Sequence, residues 1–356
     1  MGLQHRNDGM RISYLFVYVF LLAGLLLLGG MVWQVGIADL LTSFGVVGWW
    51  IVPWVLLEIV PVVLHTAGWA ACFPKSHQAV SFGRLFIVRL AGNAINQVTP
   101  TATIGGEVVK VLLLESTLPR TQATATVVID KASLTLAQIF HLALGTLYLT
   151  GRLPLPVAVQ LGLGLTIGLI ALGVVGFVAV QRYGLLSKLL GWLSGFNRGR
   201  TRLERWRQHL IPLEACLTAY YIAHPWRFSA SLGLHFGAFA FNNIQNFLSL
   251  RLLLGTNAPG LAEAIMVTIT VAALDQVFFF VPGGLGTFEG VRFTILSTLG
   301  VAPVSGLAFG LMARLEGLVW NGFGLLAYAW YTRAWRGLQR VQPMANSSTS
   351  APPTLC

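Results

Sequence analysis

Residues 281–292 read VPGGLGTFEGVR. The stretch follows the apolar run 277–280 and leads into further apolar sequence. A proline inside a helix removes a backbone hydrogen bond, and glycine weakens the helix around it. Glu289 and Arg292 add opposite charges that a lipid-facing surface would expel. Within a membrane, such a break is tolerated only where protein or water satisfies the freed backbone groups. The stretch therefore reads as an interrupted helix at a polar point inside a bilayer.

Composition supplies the membrane. Of the 356 residues, 55% are hydrophobic and 10% charged, with a mean hydropathy of +0.72. A soluble domain carries about a quarter charged residues. Apolar runs of spanning length recur at 11–33, 45–72, 121–150, 154–181, 225–254 and 303–332. The first follows His5, Arg6 and Arg11; its apolar core exceeds the ~7–15 residues of a signal h-region, so it reads as a retained helix.

The net charge of +11 lies between the apolar runs, as a topology signal and not a nucleic-acid footprint. Basic residues assign to the cytoplasm the amino terminus, the 73–89 stretch (Lys75, Arg84, Arg89), the 182–207 stretch with seven basic residues against Glu204, and the carboxyl end with Arg333, Arg336 and Arg340. The 34–44 loop, with Asp39, faces out. The expected protein is an all-α, multi-pass protein of the plasma (inner) membrane with both termini cytoplasmic. It has one transmembrane domain over 1–340, repeat halves at about 45–150 and 225–333, a basic loop over 182–224, and a polar disordered tail over 341–356. Residues 201–220 place Leu203, Trp206, Leu210, Leu213 and Leu217 on one helical stripe. This segment is expected either to lie on the cytoplasmic leaflet or to pack on the protein's own face, with Pro212 starting or kinking it.

A second interrupted region, 84–115, resembles the first, which extends over 261–299. One gives Pro100, Gly105, Gly106, Glu107 and Lys110, then Asp130 and Lys131. The other gives Pro282, Gly283, Gly284, Gly286, Glu289 and Arg292, then Arg314 and Glu316. Parity requires each region to return to the side it left, so each is predicted to be a re-entrant helical hairpin. One enters from the cytoplasm and the other from outside, which makes the repeat inverted, an architecture with its site near the midplane.

Two readings of the charges compete. Glu107 with Lys110, and Glu289 with Arg292, share a helix face and can neutralise each other as fasteners. Alternatively, each glycine-rich break exposes backbone N–H groups at a helix start, and Lys110 or Arg292 completes an anion pocket. Asn93, Asn96 and Gln97, and the cluster Asn242, Asn243, Gln245 and Asn246, either hydrogen-bond between helices or line a polar path. His65, His141 and His235 fall in separate spans without metal-ligand spacing and are expected to pack or line a cavity, while Cys72, Cys216 and Cys356 are scattered with neither disulfide nor zinc spacing. Nucleotide-loop, zinc-protease and nucleophile-elbow motifs are absent. No metal, cofactor or catalytic residue is expected.

Residues 93–114, NAINQVTPTATIGGEVVKVLLL, followed by 127–138, VVIDKASLTLAQ, resemble the first signature of the flippase-like transmembrane family. This is the membrane region that precedes the catalytic domain in lysylphosphatidylglycerol synthases. VPGGLGTFEGVR followed by ARLEGLVW (313–320) resembles the second signature. The resemblance implies lipid movement between leaflets or handling of a lipid-linked intermediate, with membrane lipids and lipid-biosynthesis enzymes as partners and oligomerisation possible. The sequence holds no soluble aminoacyl-transferase domain, so lysine transfer is not implied. The first signature is closer to a stand-alone branch found with hopanoid biosynthesis. Carried over by position, the family's functional residues are Asn96, Pro100, Gly105, Gly106, Glu107, Lys110 and Asp130, then Pro282, Gly283, Gly284, Gly286, Glu289 and Arg314. A lipid-modifying transferase and a non-catalytic scaffold stand as rival readings.

Overall fold

The computed structural model describes residues 29–73, 80–99, 104–150, 157–185, 187–188, 200–277 and 286–341, with Leu22 and Leu26. Most of the first expected span, the tail after residue 341, Pro100, and Pro282, Gly283 and Gly284 of the second break lie outside these residues. Among the described residues there are helices and no strands.

Helix α1 (Ile37–Val47) passes through a 3₁₀ turn at Gly48–Trp50 into α2 (Ile51–Leu57) and α3 (Ile59–Ala71). Pro61 cannot donate to the Leu57 carbonyl, and the chain turns at Glu58 between α2 and α3. The apolar stretch thus covers 37–71, starting earlier than the span expected at 45–72. Then come α4 (Phe82–Val98), α5 (Ile104–Leu114), α6 (Arg120–Thr150) and α7 (Val157–Arg182). After α8 (Arg200–Ala223) and α9 (Pro225–Leu254), the pattern recurs as α10 (Leu261–Val277), α11 (Thr287–Thr298) and α12 (Pro303–Val341).

The two interrupted regions thus share a plan. Each has a helix of 17 residues, then a segment outside the described residues, a helix of 11 or 12, a short connection, and a helix of 31 or 39. At about 1.5 Å per residue, the first two helices of each set are shorter than the ~20 residues a span requires. In both sets they pack against each other. Each long helix also packs on the first helix of the other set, α12 on α4 and α6 on α10, while α3 packs on α9 between them.

Glycine makes these crossings close. A Cβ at Gly324 of α12 would collide with the Leu90 carbonyl of α4, and one at Gly145 of α6 would collide with the Ile269 side chain of α10. Within the first pair, a Cβ at Gly106 would strike the Gly92 carbonyl. Helix association in lipid gains little from the hydrophobic effect, so such close backbone approach supplies the packing energy.

Among the described residues two large apolar cores form, with a smaller cluster around Leu142 and Ile269. Trp69, Val88 and Leu114 centre one, and Trp54, Leu250 and Phe309 the other. Outside them, Leu161, Leu165, Leu169 and Leu172 of α7 are 61–70% exposed, an apolar stripe suited to hydrocarbon. Helix α8 carries Pro212 in its interior and buries Cys216, Leu217, Tyr220 and Tyr221 in the first core. Of the two readings of this segment, packing on the protein's own face is the one observed for its carboxyl-terminal half.

Candidate functional site

The crossings leave a cavity of about 570 Å³ between the two sets of helices. Helix α4 contributes Asn93, Asn96 and Gln97, and α6 contributes Gln138 and His141. Helix α9 adds Asn242, Gln245 and Asn246, facing Thr268 of α10. Phe288 and Arg292 come from α11, and Glu316, Trp320 and Asn321 from α12. Glu58 enters at the turn between α2 and α3. This volume lies in the range of small-molecule sites, whose walls are usually mostly apolar. Here carboxamides make up most of the polar part of the lining, and each can both donate and accept.

The lining is partly cross-linked. Asn246 Nδ2 donates to Thr268 Oγ1 at 3.0 Å, and Gln245 Nε2 donates to a Glu316 carboxylate oxygen. Asn243 Nδ2 lies 2.9 Å from His141 Nε2. Asn96 Oδ1 accepts the Gly106 N–H at 2.6 Å, which ties α4 to the start of α5. Asn242 Oδ1 is buried and has no partner among the described residues.

The remaining charges form two clusters away from the cavity lining. In the first set, Lys110 Nζ lies 3.1 Å from Glu107, whose other oxygen is 3.8 Å from Lys131 Nζ. Lys110 is buried, with its ammonium 5.8 Å from the Trp69 ring. Asp130 is held by Arg89 at 3.2 Å and by His235 Nε2 at 3.0 Å. Arg89, expected at the cytoplasmic surface, is 2% exposed. Its place on α4 turns it towards α6, where Asp130 compensates it.

In the second set, the expected pairing of Glu289 with Arg292 does not form. Glu289 is fully buried and pairs with Arg314 of α12, Oε1 to Nε at 2.5 Å and Oε2 to Nη2 at 3.1 Å. The physical reason is the helix start. Gly286 has φ +73°, a conformation that suits glycine, and its N–H donates to Glu289 Oε2 at 3.0 Å. That bond folds the carboxylate back towards α12. Arg292 instead donates to the Phe288 carbonyl at 2.9 Å, stacks on the Phe288 ring and faces the cavity.

Of the residues singled out in the sequence, the cavity therefore gathers Asn93, Asn96, Gln97, His141, Asn242, Gln245, Asn246, Arg292 and Glu316, while Glu107, Lys110, Asp130, Lys131, Glu289 and Arg314 join helices. The N–H groups of Gly106 and Gly286, expected to face an anion, have internal acceptors in Asn96 and Glu289. Glu58, Thr268, Phe288, Trp320 and Asn321 had not been singled out; Phe288 and Trp320 stand inside the quoted motifs, and Glu58, Thr268 and Asn321 are isolated polar residues in apolar runs.

A family model for the lysylphosphatidylglycerol synthase TM region matches residues 13–320. The chain belongs to this family. The match contains both interrupted regions and the described cavity lining except Asn321. A UPF0104 membrane protein of Methanothermobacter thermautotrophicus is 26% identical over 273 residues, covering 73% of this chain and 79% of that one. No solved structure matches. As a member of the lysylphosphatidylglycerol synthase TM region family with this helical make-up, the chain is a membrane protein.

Proposed function

We propose that this protein moves an amphiphilic lipid between the leaflets of the plasma membrane, its head group passing through the carboxamide-lined cavity. The observation that carries the reading is the cavity itself. A bundle fastened only for stability gains nothing from so many polar side chains turned inward among apolar helices.

The two helical sets are read as an inverted repeat of re-entrant hairpins, with both chain termini cytoplasmic. In that arrangement the cavity lies where the halves meet, and rocking one half against the other opens it to either side. The acyl or polyprenyl part stays in lipid while the head group exchanges water for amide hydrogen bonds. Carboxamides suit a hydroxyl-bearing head, Trp320 and Phe288 suit its apolar faces, and Arg292 suits one phosphate. Phospholipids, lipid-linked precursors and hopanoid-type polyols all meet this description. The reading makes the protein a transporter and not an enzyme.

The test uses vesicles holding purified protein and fluorescent (NBD-labelled) phosphatidylglycerol, with dithionite quenching of the outer leaflet. Wild type is expected to expose the inner-leaflet label faster than empty vesicles, and Asn96→Leu/Asn242→Leu is expected to lose the excess. Equal rates for wild type and empty vesicles, repeated with a glycosylated lipid, would refute the proposal.

A further inference from the structure

A hydrogen-bonded chain runs inward from the cavity wall. His65 of α3 is half-buried, and its ring meets Phe239, a cavity-lining residue, edge-on at 5.2 Å. His65 Nδ1 lies 2.8 Å from Nδ1 of the fully buried His235 on α9. His235 Nε2 lies 3.0 Å from Asp130 Oδ1 on α6, and Arg89 of α4 holds the same carboxylate at 3.2 Å. Gly68 makes room for the second imidazole, since a Cβ there would stand 2.7 Å from His235 Cε1.

These contacts fix where the protons are. An ionised carboxylate only accepts, so His235 carries its proton on Nε2. Neutral His235 then has a bare Nδ1, and His65 must donate to it from its own Nδ1. The remaining nitrogen of His65, Nε2, is therefore the bare base, on the imidazole nearer the cavity.

We propose that His65, His235 and Asp130 form a proton-uptake site that couples lipid movement to a proton gradient; the coupling rests on the transport reading above. A proton from cavity water bonds to His65 Nε2. The N–H bond at His65 Nδ1 breaks and one forms at His235 Nδ1, across 2.8 Å. His65 is neutral again, and His235 is an imidazolium against Asp130. Asp130 now answers two cations, His235 and Arg89, and the Arg89–Asp130 tie between α4 and α6 is loosened. Helix α4 carries Asn93, Asn96 and Gln97 into the cavity, so the tie bears directly on its shape.

The other charged groups around the chain set its balance. Arg89 and Asp130 flank the pair with charges of opposite sign. Glu107 neutralises Lys110, and Lys131 lies beyond it. Neutral hydroxyl and thiol groups complete the wall, with Ser231 Oγ 2.7 Å from Ser133 Oγ and 3.5 Å from Cys72 Sγ. A purely mechanical fastener needs only one stable protonation state. The histidine pair instead admits a proton at one end and shows its charge at the other.

The experiment is ¹⁵N NMR of protein labelled at histidine, in lipid nanodiscs, titrated between about pH 8 and pH 5. His65 and His235 are expected to titrate together, with the His235 proton on Nε2 at the alkaline end, and Asp130→Asn is expected to abolish that tautomer preference. Two histidines that stay neutral throughout, or that titrate independently in the wild type and in Asp130→Asn, overturn the uptake site whatever the protein transports. Coupling is read separately in the vesicle assay with an imposed pH gradient. Wild type should respond to the gradient, and His65→Gln should lose the response. A wild type that moves lipid without sensing the gradient overturns the coupling. A wild type that moves no lipid refutes the transport reading and the coupling with it, while the NMR titration still decides the uptake site.

Discussion

The Glu289 carboxylate grips Arg314 through both oxygens, at 2.5 and 3.1 Å, while accepting the Gly286 N–H at 3.0 Å. One fully buried side chain thus caps α11 and pins it to α12. Removing one partner of a buried pair leaves the other charge uncompensated, at a cost of about 3–5 kcal/mol. Glu289→Gln is therefore expected to lower the unfolding midpoint strongly in detergent. Glu289→Gln/Arg314→Met, which removes both charges, should recover most of that loss. A single variant as stable as wild type contradicts the clamp.

The α4–α5 contact depends on glycine at one point. A methyl group at Gly106 meets the Gly92 backbone carbonyl and the Asn96 side chain, neither of which can retreat without parting the helices. Overpacking of this kind costs about 1–3 kcal/mol. Gly106→Ala should destabilise the protein, whereas Gly83→Ala, on the same helix pair with nothing near its new methyl group, should not. Thermal unfolding of the two variants side by side separates packing from glycine content alone.

The membrane class, the two interrupted regions and their shared plan were legible because long apolar runs and Pro/Gly breaks are local signals. Glu107 with Lys110 was legible for the same reason, being three residues apart on one helix. Glu289 with Arg314 was not, since the partners lie 25 residues apart on different helices and local spacing favoured Arg292 instead. Arg89 was misassigned because a charge near the end of a basic stretch is indistinguishable, in sequence, from one turned inward by helix rotation. The amide clusters were visible as candidates. Their meeting with Glu58, Trp320 and Asn321 depended on how α3, α4, α9 and α12 cross, which no single segment encodes.

Arg292 and Lys110 looked equivalent in sequence, and the structure separates them. Arg292 faces the cavity; Lys110 is buried on Glu107, against Trp69. Arg292→Gln is expected to lose retained anionic lipid in native mass spectrometry with an unfolding midpoint near wild type. Lys110→Met should retain the lipid and unfold more easily, since Glu107 then keeps only Lys131 at 3.8 Å. The opposite assignment of effects would move the anion site to the first break.

The re-entrant reading makes a geometric claim about sidedness. A hairpin returns to the side it left, so the ends of α4–α5 share one face of the membrane and the ends of α10–α11 share the other. Ser81 and Pro119 flank the first pair, and Thr256 and Ala302 the second; all four are exposed. With native cysteines replaced, a membrane-impermeant maleimide added outside intact cells should spare Ser81→Cys and Pro119→Cys and modify Thr256→Cys and Ala302→Cys. Permeabilised cells should expose all four. If instead the two members of either pair label from opposite sides, that region crosses the bilayer as a span. The two halves would then no longer be inverted, and the cavity would need a different path for its lipid.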